Sequence, residues 1–256
     1  CGASCVDLET DRANCGACGH DCFAGACVAG ACKAFNLATA QANVAAITTK
    51  GDRAYWTQYA TATAPGGVVS AKLDGTGDVR THYRGAASAS CGPIAFDGDH
   101  AYFVCGSALL HCTMPACGPD DVLVARASLG AAGVAVDPVT HRVFYTIATE
   151  YGKSTGGGVF YLDGTNLAAS ATPIGAKDPP TPTDVLVHGG FVYWLLSGTY
   201  VADNPQKNGG VRRLPLAGLG GAETVVATAP TDSDLLALAA DDVNAYFVGI
   251  NGAPGP

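Results

Sequence analysis

The sequence predicts an all-β protein that begins with a small disulfide-rich module. Glycine is abundant at 34 residues, whereas only three of the 22 acidic residues are glutamate. Gly and Asp favour turns, while Glu and Lys favour helix surfaces, so this composition argues against a helical protein. Seven of the 11 cysteines lie within the first 32 residues, and a short aromatic strand recurs along the rest of the chain. These observations define two regions, 1–33 and 34–256.

The first region is the cysteine-rich one. Its cysteines are Cys1, Cys5, Cys15, Cys18, Cys22, Cys27 and Cys32. The segment lacks the apolar residues for a conventional core, so crosslinks would have to stabilise it. A zinc site is the alternative, but closed zinc sites take a second, separated ligand pair that this segment lacks. We therefore predict disulfides and an extracytoplasmic location, secreted or at the cell surface.

An odd number of cysteines leaves one without a partner inside the segment. A partner upstream of Cys1, a free thiol, and a lipid anchor on Cys1 as in a mature bacterial lipoprotein all remain open. The spacing reads Cys1-Gly-x-x-Cys5-Val-Asp-Leu, then Asp11-x-x-Asn14-Cys15-Gly-x-Cys18-Gly, then Cys22, Cys27 and Cys32. This spacing resembles the stigma-specific-protein cysteine-rich module, which implies a secreted bacterial protein with a further domain. Many such modules carry one more cysteine, where this chain has Lys33 and Ala34.

From about residue 34 the chain repeats a hairpin. Its aromatic strand occurs at 54–57, 101–104, 143–146, 192–195 and 245–248, at spacings of 47, 42, 49 and 53 residues. Before the middle three copies lie a short apolar strand and a turn containing Gly, Asp or Pro, residues that suit tight hairpin turns.

A third strand follows in three of the units. It runs from Val68 to Leu73, from Val159 to Leu162 and from Val211 to Leu216. The first and third copies span five positions and the second spans three. A difference of two residues in length keeps every side chain on its own face of the sheet, because side chains along a strand alternate with period 2. In the second unit the cysteine-bearing segment 109–117 stands in place of this strand. A weaker fourth strand follows, as at 223–227.

Four strands per unit at this pitch are typical of a β-propeller blade, whose two apolar faces must be covered by its neighbours. The run Tyr55-Trp56-Thr57 followed by Leu73-Asp74-Gly75 resembles the YWTD propellers of the low-density-lipoprotein-receptor type and their bacterial relatives. That resemblance implies six blades. The chain carries about four and a half, so it would be part of a longer protein, close with fewer blades using residues 34–48, or be covered by another copy.

The second cysteine group belongs to the second unit. It consists of Cys91, Cys105, Cys112 and Cys117. Pairing Asp97 with His100 brings Cys105 beside Gly92, which favours Cys91–Cys105 and Cys112–Cys117 disulfides. A Cys105–Cys112 disulfide is the alternative.

The sequence contains few signs of a catalytic or cofactor site. No nucleophile-elbow, zinc-protease or phosphate-loop motif is present. The aspartate pairs at 97/99, 120/121 and 241/242 lack the regular ligand ladder of a Ca²⁺ loop, so plain turns are favoured over Ca²⁺ and no cofactor is expected. The net charge of −8 and pI near 5.0 argue against nucleic acid, and no apolar run is long enough for a transmembrane helix.

The sequence therefore favours a binding or adhesion protein that contacts an extracellular protein or carbohydrate. Inserts at 58–65, 149–156 and 197–208 lie between second and third strands and so share one edge of the sheets. Four tyrosines outside the repeat positions are the candidates for loop contacts: Tyr59, Tyr83, Tyr151 and Tyr200. Two other functions remain open. One is self-association as a subunit of an extracellular fibre, and the other is a lyase or hydrolase acting in a central channel.

Overall fold

The computed structural model of the chain is all-β, as the composition predicts. It describes residues 1–2, 4–118, 131–148, 157–177, 181–197, 209–228 and 235–249 in full, and the backbone of 123–126, 200–201, 204–205, 233–234 and 250–251. Among these residues no helix is long and apolar enough to cross a membrane.

The cysteine-rich region is held together by three disulfides. They join Cys1 to Cys18, Cys15 to Cys27, and Cys22 to Cys32. Its regular structure is a short 3-10 turn at Arg12–Asn14 and a hairpin of β1 (Cys27–Val28) and β2 (Ala31–Cys32). The half-cystines Cys15, Cys22 and Cys27 form the only buried cluster among the described residues of this region. Crosslinks thus replace an apolar core here. Cys5 is the exception among the disulfide candidates, since its thiol is free and exposed.

Beyond this region, four antiparallel sheets have four strands each and a two-stranded sheet follows. The first contains β3 (Val44–Lys50), β4 (Arg53–Gln58), β5 (Gly67–Lys72) and β6 (Val79–Arg84). The second contains β7 (Cys91–Asp97), β8 (His100–Cys105), β9 (Ala108–Thr113) and β10 (Leu123–Arg126). The third contains β11 (Ala131–Asp137), β12 (Arg142–Ile147), β13 (Gly158–Asp163) and β14 (Thr172–Ile174).

The fourth sheet and the last pair follow the same pattern. The fourth contains β15 (Pro182–His188), β16 (Phe191–Leu196), β19 (Gly210–Pro215) and β20 (Thr224–Thr228), with a small hairpin of β17 (Tyr200–Val201) and β18 (Asn204–Pro205) inserted before β19. A 3-10 turn at Leu216–Gly218 follows β19. The fifth sheet pairs β21 (Ser233–Ala240) with β22 (Ala245–Asn251).

The register confirms that the three predicted third strands are equivalent, but the expected two-residue difference between them is wrong. Each strand has six residues, and Leu73 and Leu216 lie just beyond the ends of β5 and β19. Val68 pairs with Thr57, Val159 with Thr146, and Val211 with Leu195, the same position in each sheet. All three valines are buried to 1% exposure or less. In the second sheet the expectation that segment 109–117 replaces this strand is wrong, because β9 forms there and pairs fully with β8.

The second sheet also holds the second cysteine group. Asp97 lies opposite His100 as expected, but a bulge in β7 places Cys91, and not Gly92, opposite Cys105. The disulfides there are Cys91–Cys105 and Cys112–Cys117.

The sheets stack through their first strands. β3 packs on β7, β7 on β11, β11 on β15, and β15 on β21. Between the third and fourth sheets lies the largest apolar cluster, which includes the fully buried Phe144 and Trp194. A Cβ on Gly133 of β11 would lie 2.9 Å from the Cα of Asp184 in β15, so glycine is what permits this close approach.

Every first strand carries a bulge near its start. At two of these bulges, a threonine of the neighbouring strand accepts a hydrogen bond from a backbone N–H group. Gly133 N–H donates to Thr146 Oγ1 over 2.8 Å, and Ala46 N–H donates to Thr57 Oγ1 over 3.2 Å. Both threonines are fully buried. A buried N–H without an acceptor costs free energy, so these hydroxyls stabilise the bulges.

Polar contacts link the first-hairpin turns of neighbouring sheets. Lys50 forms an ion pair with Asp99 at 2.6 Å, and His141 and His188 form hydrogen bonds with Asp97 and Asp242 at 2.7 and 3.1 Å. Between the third and fourth sheets the turn of the fourth sheet has Gly189 and Gly190, which offer no side chain. A groove of about 720 Å³, bordered by Asp137 and Arg142, lies at this junction.

Candidate functional site

The outer face of the first sheet, turned away from the second sheet, is crossed by residues 35–42, which we call the strap. Leu37 and Ala38 of the strap pack against the cluster of Trp56, Val69 and Ala71. Gln41 fixes the far end of the strap. Its Oε1 accepts hydrogen bonds from Trp56 Nε1 at 3.3 Å and from Gln58 Nε2 at 3.2 Å. The strap therefore divides the outer face into two grooves.

On one side of the strap lies a mainly apolar groove of about 230 Å³, which contains Phe35, Val44, Ile47 and Trp56. On the other side lies a larger groove of about 530 Å³, which we call the Tyr59 groove. Hydroxyl, amide and guanidinium side chains line much of its wall: Gln41, Gln58, Tyr59, Thr61, Thr63, Thr81 and Arg84.

The insert at 58–65 forms one wall of the Tyr59 groove, between β4 and β5 as the sequence predicts. Its backbone is held by local hydrogen bonds. Thr61 N–H donates to Ala64 O, and Ala64 N–H donates to Thr61 Oγ1. Tyr59 N–H donates to Asn43 O over 2.9 Å, while half of the tyrosine surface stays exposed. The ring is thus presented on a fixed backbone.

Among the described residues, Arg84 is the only charged one that lines the Tyr59 groove. It ends β6 and is exposed. Its Nη2 donates one long hydrogen bond to Thr81 Oγ1 at 3.5 Å. In the described part of the chain no carboxylate lies within ion-pair distance of Arg84, whereas Arg53 and Arg80 both pair with Asp78. The groove therefore offers guanidinium N–H donors without a bound acid.

Of the other candidate tyrosines, Tyr83 lies outside this groove. Tyr83 packs edge-on against Phe103, with ring centroids 5.0 Å apart, and burial raises the pKa of its phenol. It borders a smaller groove together with His82. Tyr151 lies outside the described residues, and of Tyr200 only the backbone, in β17, is described. Of the four candidates, the structure places Tyr59 alone in the Tyr59 groove.

One arrangement resembles a nucleophile–base pair. Ser70 Oγ lies 2.7 Å from His82 Nε2, and His82 Nδ1 lies 2.7 Å from Pro115 O. A carbonyl can only accept, so Nδ1 carries the proton and Ser70 donates to Nε2. Burial is the main reason that the pKa of His82 is lowered from its usual value. Ser70 is fully buried and also accepts from Arg53 Nε, so a substrate cannot reach its oxygen. The pair ties β5, β6 and the segment after β9 together.

The aspartate pairs act in turns and inter-sheet contacts. Asp99 forms an ion pair with Lys50 and Asp97 forms a hydrogen bond with His141, each in a neighbouring sheet, and Asp241 accepts from two backbone N–H groups of its own turn. Asp120 and Asp121 lie outside the described residues. The sulfurs of Cys15, Cys22 and Cys32 lie within 4.8 Å of one another, but all three belong to disulfides.

Neither the protein-family models nor the curated proteins contain a match to the chain. The functional interpretation therefore rests on the residues of the site. Sequence reasoning identified Tyr59 and its insert but missed Gln41 and Arg84. Gln41 precedes the repeats in a segment without a periodic pattern. Arg84 ends a fourth strand, and only the order of the sheet brings it to the same groove as the insert.

Proposed function

We propose that the chain is a secreted or cell-surface binding protein whose Tyr59 groove holds a carbohydrate. The observation that carries this proposal is a half-exposed tyrosine beside amide, hydroxyl and guanidinium donors in one groove. An aromatic ring buries the C–H face of a pyranose, and the polar side chains bond its hydroxyls. Five disulfides support an extracytoplasmic location.

We also infer that the sheets are blades of a YWTD-like propeller and that residues 1–33 are a stigma-specific-like module. The packing of successive first strands supports the first inference. Residues 109–117 also fit the repeat, because β9 pairs with β8 there as a third strand. This fit supports the same inference.

A glycan array tests the binding proposal. We expect the wild-type chain to bind a subset of saccharides, and Tyr59→Ala to lose that binding because it removes the exposed ring. Tyr246→Ala is the matched control, because Tyr246 is 52% exposed and Tyr59 is 50% exposed. Absence of glycan binding, or equal binding by both variants, would contradict the proposal. A protein ligand would then be the remaining occupant of the groove.

Self-association is the second candidate, favoured by the last sheet. The face of β21–β22 turned away from the fourth sheet exposes Leu236, Tyr246 and Val248, at 51, 52 and 62%. Equivalent faces inside the stack are covered, and exposed apolar surface of this kind marks an interface.

Sedimentation velocity tests this candidate, with negative-stain microscopy to reveal fibres. We expect association that rises with concentration and is abolished by Val248→Lys. Val139→Lys serves as the control, since Val139 is 84% exposed on a distant turn. A chain that stays monomeric at every concentration would rule out self-association through this face.

A further inference from the structure

We infer that the Tyr59 groove selects an acidic saccharide, one that bears a carboxylate such as a uronic acid. The inference rests on the proposed carbohydrate-binding function. It goes beyond that function by assigning Arg84 as the residue that determines specificity.

The Tyr59 groove carries a positive charge, from Arg84. The chain carries a net charge of −8, with 22 acidic and 14 basic residues. Against that background, the described residues that line the Tyr59 groove include one arginine and no Asp or Glu. The groove is therefore a locally basic place on an acidic protein. An anionic ligand meets attraction there and repulsion over much of the remaining surface.

Arg84 makes fewer polar contacts than the other two arginines of the first sheet. Arg53 is buried and donates to Ser70 and Asp78, and Arg80 pairs with Asp78 at 2.8 Å. Arg84 is exposed, and its hydrogen bond to the Thr81 hydroxyl, at 3.5 Å, is at the limit of hydrogen-bond distance. A planar guanidinium binds a carboxylate through two parallel N–H···O bonds, which are about twice as strong as neutral hydrogen bonds. Arg84 keeps these donors available.

The Tyr59 groove has a volume of about 530 Å³, within the range for small-molecule sites and sufficient for two or three sugar rings. Tyr59 is available for the apolar face of one ring, and Gln58 and Thr81 for hydroxyls. A free carboxylate or a phosphate would use Arg84 alone. A uronic acid uses the ring and the guanidinium together.

Isothermal titration with matched saccharides tests the inference. The probes are oligomers of galacturonate, of guluronate and of glucuronate with N-acetylglucosamine, each paired with its carboxyl-reduced neutral form. We expect at least one acidic oligomer to bind about tenfold or more tightly than its neutral partner, in line with charge-assisted hydrogen bonds. Raising the ionic strength from about 0.05 to about 0.5 M should reduce this preference.

Substitutions assign the preference to its residue. Arg84→Gln should lower the affinity for the acidic oligomers to that for their neutral forms, while Arg84→Lys should keep part of the preference. Arg80→Gln is the control on the same strand, and it should retain the full preference. Equal binding of acidic and neutral forms by the wild type would overturn the inference while leaving the carbohydrate proposal intact. If no saccharide bound at all, both would fall.

Discussion

The contact between the third and fourth sheets can be tested by a single added methyl group. In Gly133→Ala, the new Cβ would lie 2.9 Å from the Cα of Asp184 and from the N of Val185, and 3.1 Å from the Asp184 carbonyl carbon. All three are backbone atoms of β15, so no flexible side chain can move aside. Either β11 or β15 must shift, and the buried contact between the two sheets must loosen.

The magnitude follows from two opposing effects. Overpacking of a close-packed interior costs about 1–3 kcal/mol, and rigid backbone neighbours place Gly133→Ala near the upper value. Replacing glycine by alanine lowers the conformational entropy of the unfolded chain, which stabilises the folded state by about 0.4–1 kcal/mol. We therefore expect a net loss of about 2–2.6 kcal/mol. For a chain of this size that corresponds to a melting temperature lower by roughly 4–10 °C.

Gly92→Ala is the matched control. Gly92 lies in the corresponding bulge of β7, its φ is not positive, and a Cβ there would meet no atom within 4 Å. This variant should be neutral or more stable by up to about 1 kcal/mol. Urea unfolding followed by tryptophan fluorescence is a suitable assay, because Trp194 is fully buried in the same cluster as Val185. Equal stability of the two variants would show that the first strands do not approach as described.

Three further predictions follow from buried polar groups and thiols. Thr146→Val should destabilise the chain by about 1–3 kcal/mol in the same assay, because it leaves the buried Gly133 N–H without an acceptor, whereas Thr146→Ser should retain that bond. His82 has a folded-state pKa below its unfolded value of about 6.5, so its contribution to stability is present above pH 6.5 and is lost as the pH falls from 6.5 through the folded pKa. His82→Gln should remove that part of the pH dependence, and a slope unchanged from wild type would refute the assignment. Thiol titration of the unfolded, non-reduced chain should count one thiol, from Cys5, and a count of eleven would show that the disulfides are absent.

Local patterns predicted the strands because they repeat at short range. The Asp97 turn fixes its hairpin, and a buried valine lies at the second position of each of the three matching third strands. The expected two-residue difference was wrong, because the last leucines of two copies lie beyond the strand ends. Features that depend on insertions were harder to predict. The bulge in β7 shifts Cys91 by one position relative to a simple hairpin, which the sequence does not reveal. The hydrogen bond between His141 and Asp97 joins different sheets, so periodicity within one strand says nothing about it.

The site was predicted only in part for a similar reason. The insert at 58–65 carries three hydroxyl residues and ends at Pro65 between two strand patterns, so it was recognisable as a loop. The strap has no period, because its residues cover a sheet without joining its hydrogen-bond ladder. Arg84 and Gln41 are separated by 43 residues, and their shared groove exists only once β6 has paired with β5.

The disulfide connectivity has a mechanical consequence for a protein held at its beginning. The covalent path from Cys1 to Cys32 crosses to Cys18, follows the backbone to Cys22 and crosses again. Under tension this path contributes only about 14 Å of backbone, whereas an uncrosslinked segment of the same length would extend to about 110 Å. A displacement applied at Cys1 would therefore reach the strap after little extension of residues 1–33. Leu37 of the strap packs on the outer face of the first sheet, so we expect such a load to act on the grooves that the strap borders.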